Sequence, residues 1–147
     1  MKVLARRSER VAFRGGNGFE LAGIIDIPDD EPRGTAIFTH CFTCNKDLKA
    51  IVRVSRGLAE TGMLVLRYDL TGLGNSQGDF SKTDFSSNRA DLLAAVEFMR
   101  SNFAAPDFLI GHSFGGACSL SVAEDLPSVR GVATLASPSD TGHLADI

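Results

Sequence analysis

Apolar and polar positions along this chain follow two periods, one of two residues and one near three and a half. Short apolar runs over Arg10–Phe13 and Leu21–Ile27 flank Gly15-Gly16-Asn17-Gly18, a stretch that permits positive φ, and Pro28 stops the second run. The pair predicts an antiparallel hairpin. A polar loop, "DDEPRG", leads into a short buried strand over Thr35–His40. From Asp47 to Thr61, Leu48, Ile51, Val52, Ser55 and Leu58 share one helical face, with Gly62 as the stop. "MLVLRYD" is a continuous apolar run of the type found in parallel strands covered on both faces. A Gly-rich loop follows, then a longer helix over Asp84–Phe103, in which Leu92, Val96, Met99 and Phe103 recur on one face. "DFLIGHS" predicts a strand, "FGGACSLSVAEDL" a helix and "GVATLAS" a last strand.

The order is β-β-β-α-β-α-β-α-β. Such alternation predicts an α/β fold: a mostly parallel sheet of about six strands, with helices on both faces and right-handed crossovers, entered through an N-terminal hairpin. No internal repeat, linker or low-complexity segment divides the chain, so residues 1–147 read as a single domain.

Composition narrows the function classes. The chain has 147 residues, enough for one core, and its net charge of −3 is spread without an acidic tail or long basic block. Nucleic-acid binding has no electrostatic support. Arg6-Arg7 is followed by no apolar stretch of signal-peptide length, and nothing approaches the ~18 apolar residues of a membrane span. Three cysteines, an odd number in a chain able to build its own core, argue against a disulfide scaffold and for a reducing cytoplasm.

The chemistry concentrates in "FLIGHSFGGACSL", where Gly111-His112-Ser113-Phe114-Gly115 makes a G-x-S-x-G. The pattern alone is common, but an apolar strand enters it and a small-residue helix leaves it, as a nucleophile elbow requires. Ser113 would stand on a strained strand-to-helix turn, with Gly111 and Gly115 supplying room for the close backbone approach. His112 points elsewhere on such a turn and reads as structural. In a hydrolase built this way, one oxyanion donor is the backbone N–H after the nucleophile, here Phe114. The other comes from the loop after the strand that precedes the first helix, which makes the Phe42 N–H the second donor.

That loop, "HCFTC", holds Cys41-x-x-Cys44. A redox pair needs its first cysteine at a helix N-terminus, whereas this helix starts near Asp47. A zinc site needs two further ligands, and no second Cys/His pair stands at metal spacing. The loop therefore reads as an oxyanion loop with incidental cysteines, leaving a regulatory redox role and a metal site as alternatives. Cys118 falls inside a helix and reads as core. Gly72, Gly74 and Gly78 do not open directly into a helix, so a dinucleotide fingerprint is not met.

Taken together, "HCFTCNKD", "YDLTGLGNSQG" and "GHSFGG" resemble the α/β-hydrolase fold. More narrowly they resemble the hydrolase segment fused to OsmC-type, peroxide-handling domains in bacteria. The resemblance runs from about Glu9 to Asp140. It implies Ser113 as nucleophile, Phe42 and Phe114 as the oxyanion hole, and Asp69 with its following glycines as a structural turn near the site. It implies a small acyl or ester substrate and no cofactor.

Two departures stand out. Cys41 occupies a position where many relatives carry Gly. The fold also runs Ser, acid, His, yet after Ser113 the chain offers only His143 and the acids Glu124, Asp125, Asp140 and Asp146. Asp140 and His143 have the right order, but both would come from one short loop. The expectation is a partial hydrolase domain whose acid and base lie beyond this chain. Its "GVATLAS" strand would form an open edge through which a homodimer pairs. Two rivals are a non-catalytic partner-binding or structural remnant and a thiol-redox function of Cys41 and Cys44.

Overall fold

A computed structural model describes residues 7–136. The chain runs β1 (Arg7–Arg14), β2 (Glu20–Ile27), β3 (Gly34–Thr39), α1 (Lys49–Glu60), β4 (Met63–Tyr68), α2 (Phe85–Asn102), β5 (Phe108–His112), α3 (Phe114–Ala123) and β6 (Gly131–Leu135), with a single 3₁₀ turn at Phe80–Lys82. The six strands lie in one sheet in the order β1-β2-β4-β3-β5-β6. β1 and β2 pair antiparallel, as does β2 with β4, while β4, β3, β5 and β6 run parallel. The expected α/β architecture, strand number and N-terminal hairpin are all present.

Period two sorts the strand residues between two cores. Val65 joins Ala36, Phe38, Ile51 and Ile110 on the face covered by α1. Leu64, Leu66 and Tyr68 turn the other way, toward Leu92, Met99, Leu109 and Cys118. Both faces of β3 and β4 are therefore dry, which is why these segments read as continuous apolar runs rather than alternating ones.

Element ends differ from expectation by a few residues. β1 extends back to Arg7 because its full length pairs with β2, Arg7 opposite Ile27. α1 begins at Lys49 rather than Asp47. Asn45 Oδ1 accepts the Asp47 N–H, and the Asp47 carboxylate is drawn to Lys46 and Arg67, which delays the first turn. α2 starts where Asp84 caps it through a capping box with Ser87. Leu92, Val96 and Met99 are buried as read, whereas Phe103, at the C-cap, is 43% exposed. Among the described residues no helix is long and apolar enough to cross a membrane.

Strand order also dictates where a site can form. From β3 the chain crosses to β4 on one side, then back over β3 to β5 on the other. Ligands in open parallel sheets bind in the crevice beyond the carboxyl ends of strands at such a reversal. Here that crevice is framed by the loops after β3 and β5, whose ends are level, Thr39 opposite Gly111.

Candidate active site

Ser113 stands on the one-residue turn between β5 and α3, with φ 54° and ψ −117°. A non-glycine residue held in the positive-φ region costs on the order of 1–3 kcal/mol, so the surroundings must enforce it. They do so through backbone contacts. The Ser113 N–H donates to the Leu135 carbonyl at 2.7 Å, and the Ser113 carbonyl accepts from Gly116 N–H at 3.0 Å. A Cβ at Gly111 would run into the backbone of Gly115 and Gly116, and one at Gly115 into the carbonyls of Thr39 and His40. The two glycines thus let the turn fold onto itself and onto the end of β3, as the motif implied.

Phe114 is the first residue of α3 and is buried. Its ring stacks on that of Phe42 with centroids 4.0 Å apart, and Phe80 and Phe85 close around the pair. The loop after β3 and the start of α3, separated by some seventy positions in sequence, are therefore in direct contact. Phe42, Phe114, Gly111, Gly115 and Ser113 come together in one place. Asp140 and His143 lie outside the described residues.

The loop carrying Phe42 is anchored at both ends by residues that follow β4. At its start, His40 is 1% exposed. Its Nε2 accepts the Leu70 N–H at 3.1 Å and its Nδ1–H donates to the Cys41 carbonyl at 2.7 Å, an arrangement that fixes the tautomer. Burial holds this imidazole below its ordinary pKa, against the opposing influence of the Cys41 carbonyl and the Asp69 charge. At the far end, Asp69 accepts from the Lys46 backbone N–H and from Lys46 Nζ, both at 2.7 Å, and from Asn75 N–H at 3.0 Å. Asp69 is thus the structural turn the sequence motif implied, while Lys46 and His40 were missed as anchors. No sequence signal marks them, because their burial depends on the end of β4 lying beside that of β3.

A second buried charge set lies under α1. Arg67 Nε donates to Asp26 at 2.9 Å and Arg67 Nη1 to the Lys46 carbonyl at 2.9 Å, while Ser8 and Ser55 also donate to Asp26. Burial alone would raise the Asp26 carboxyl, but the bonds from Arg67, Ser55 and Ser8 prevail and hold it below its ordinary value. The apolar reading of "MLVLRYD" had concealed this arginine.

The cysteines require a correction. Cys41 and Cys44 are joined in a disulfide, with Cα atoms 5.3 Å apart, contrary to the expectation of incidental thiols. A pair three positions apart can be linked without a helix when the intervening residues turn, as they do here: Cys44 N–H donates to the Cys41 carbonyl at 3.3 Å and Thr43 takes φ 58°. The sequence spacing also concealed His112, which the fold brings to the sulfurs. Donor atoms of Cys41, Cys44 and His112 lie within 4.8 Å of one another. Cys118 is buried in the core as expected, and burial pushes its thiol up to about 12.

Comparison with known proteins places this geometry. A family model described as "Serine aminopeptidase, S33" matches residues 30–143. Mouse monoglyceride lipase is 33% identical over 106 residues, which cover 61% of this chain and 35% of the lipase. The esterase domain of a Rhodothermus marinus protein is 42% identical and superposes with a TM-score of 0.78, covering 95% of this chain and 54% of that domain. A Xanthomonas campestris protein described as an a/b serine hydrolase without lid superposes with a TM-score of 0.78 at 25% identity, covering 95% of this chain and 65% of its own. The chain spans about a third of the length of the lipase and about half of the esterase domain.

Proposed function

Because the chain belongs to the serine aminopeptidase S33 family of α/β hydrolases, we propose that it carries the nucleophilic half of an ester-hydrolase site, with Ser113 as nucleophile. The supporting observation is the backbone of Ser113, held at φ 54° on the turn between β5 and α3 beside the loop that bears Phe42. In this reading, Ser113 Oγ attacks the ester carbonyl and its proton passes to a general base. The tetrahedral oxyanion is held by the N–H groups of Phe42 and Phe114, and the N-terminal end of α3 adds favourable potential. Collapse breaks the ester C–O bond, the alcohol leaves with the proton, and water then hydrolyses the acyl-enzyme. The general base and acid of this reading belong to the part of the fold that the longer relatives have in addition; His143 and Asp140, in the right order after Ser113, are the alternative within this chain.

The narrower kinship with hydrolase segments linked to OsmC-type domains rests on "HCFTC" and its partner motif "YDLTGLGNSQG". The reading needs no cofactor and takes a small-molecule ester or other acyl compound as substrate. A cytoplasmic setting and a single-domain organisation belong to the same proposal.

The test is intact mass after treatment with a fluorophosphonate probe. One adduct is expected on the chain and none on Ser113→Ala. An adduct that survives in Ser113→Ala would overturn the assignment. If the adduct forms, His143→Ala is expected to reduce the labelling rate by several orders of magnitude, as loss of a triad base does. No adduct on folded protein would favour the rival reading of a non-catalytic module.

A further inference from the structure

We propose that Cys41 and Cys44 form a reversible redox site, with His112 as its base, that sets the order of the loop carrying Phe42. Its effect on Ser113 rests on the reading of Phe42 and Ser113 given above.

Between the anchors His40 and Lys46 the loop is held by the packing of the Phe42 ring against Phe114 and Phe80, but its own backbone is weakly tied. Its internal backbone bond is long at 3.3 Å, and Thr43, a β-branched residue, sits at φ 58°. Such a residue in the left-handed region relaxes to negative φ unless something enforces the turn. The covalent link from Cys41 to Cys44 spans this turn and encloses Phe42 and Thr43. Opening the link frees the peptide planes on both sides of Phe42, including its N–H.

The surroundings favour exchange over a permanent staple. Cys44 and His112 are half-buried, open enough for a small thiol to approach. Nδ1 of His112 has no hydrogen-bond partner among the described residues, so that nitrogen is not committed elsewhere. An imidazole beside a thiol accepts its proton and raises the thiolate fraction. Cys118, by contrast, is fully buried and inert.

The reaction is thiol–disulfide exchange with a low-molecular-weight thiol. Its thiolate attacks one sulfur, the S–S bond breaks, and the released cysteine takes a proton to form a thiol beside a mixed disulfide. A second molecule of the thiol resolves that intermediate and leaves as the oxidised disulfide. The protein gains two electrons and two protons, and both small thiols lose theirs. Oxidation by the small disulfide is the reverse, with His112 taking the first proton.

The experiment equilibrates the chain in mixtures of reduced and oxidised glutathione and traps it with iodoacetamide. Peptide masses should show Cys41 and Cys44 alkylated together in reducing mixtures and neither in oxidising ones, reversibly, with Cys118 unlabelled until the protein is denatured. Thiols that stay free in oxidising mixtures, or a disulfide formed between chains, would overturn the proposal. Amide exchange of a peptide covering residues 40–46 should quicken about tenfold on reduction. It should stay fast in Cys41→Ser under both conditions. Equal exchange in both redox states would also overturn it. His112→Gln should move the pH profile of alkylation to higher pH, and an unchanged profile would remove His112 from the site.

Fluorophosphonate labelling then separates the two readings. Labelling about tenfold slower in the reduced protein is expected, a fraction of the 10²–10³ lost with an entire oxyanion donor. Equal rates in the two states would overturn the link to Ser113. No labelling in either state would instead overturn the hydrolase reading, with the redox site still decided by alkylation and exchange.

Discussion

Ser113 brings a conformational cost that its side chain can relieve only by disappearing. At φ 54° and ψ −117° any residue with a Cβ is strained, whereas glycine adopts these angles freely. Ser113→Ala removes the hydroxyl but keeps the Cβ, so its stability should match that of the native chain. Ser113→Gly should be more stable by about 1 kcal/mol, the relieved strain less glycine's entropy in the unfolded chain. Urea unfolding of the two variants checks this, and equal midpoints would mean the turn is unstrained. His40 makes a second prediction at this scale. Its folded pKa lies below the unfolded value of 6.5, so its contribution is complete above that value and is lost as pH falls through it toward the folded value. Melting temperature should therefore drop as pH falls below 6.5, with Asp26 adding a further loss only below 3.8. In His40→Gln, whose amide can replace both hydrogen bonds, the His40 part of that slope should vanish. An unchanged slope would assign the loss to other groups.

At the level of elements, the site is a junction between two loops and one helix start, and each is held from outside itself. The loop after β3 depends on Leu70 and Asp69, which follow β4, while the Ser113 turn depends on Leu135 at the end of β6. α2 stands farther off but supplies Phe85 against Phe114, and Asp84 fixes where it begins. Asp84→Ala should cost about 1 kcal/mol in urea unfolding, the usual effect of losing a side-chain N-cap. A change within a few tenths would mean that packing alone sets this helix end. The extent of α2 was legible because periodicity is local, and the Asp84 capping box that fixes its start is local as well. The start of α1 was not legible, since Lys46 and Arg67 compete for Asp47 from a distance.

Across the whole molecule, the outer position of β6 is the feature with the widest consequence. Among the described residues it lies at the end of the sheet, with Ala133, Thr134 and Leu135 exposed. Leu48 and Val54 of the α1 region frame a small apolar hollow of about 50 Å³ with Leu135 and His112 next to this edge. An uncharged, apolar edge presents unpaired backbone groups to any partner strand. We propose that two copies pair there, and sedimentation velocity should show a dimer fraction that rises with concentration. Ala133→Lys should abolish that rise by placing like charges opposite each other. A strictly monomeric native chain at high concentration would count against pairing.

The sequence by itself determined the fold class and the position of the strand-to-helix turn at Ser113. Both depend on short-range physics: periods of two and 3.6, and glycines where a Cβ would collide. It also indicated that the loops around Phe42 and Ser113 belong together, because their motifs form a recognisable set. Only the tertiary structure decided the rest. Whether Cys41 and Cys44 are incidental depended on how residues 41–44 turn, and that His112 meets them depended on β3 pairing with β5. The anchoring of the loop by His40, Lys46 and Asp69 came from strand order, which brings the end of β4 beside that of β3. Such contacts join residues twenty to seventy positions apart, and a buried ion pair or shared imidazole leaves no period along the chain from which it could be read.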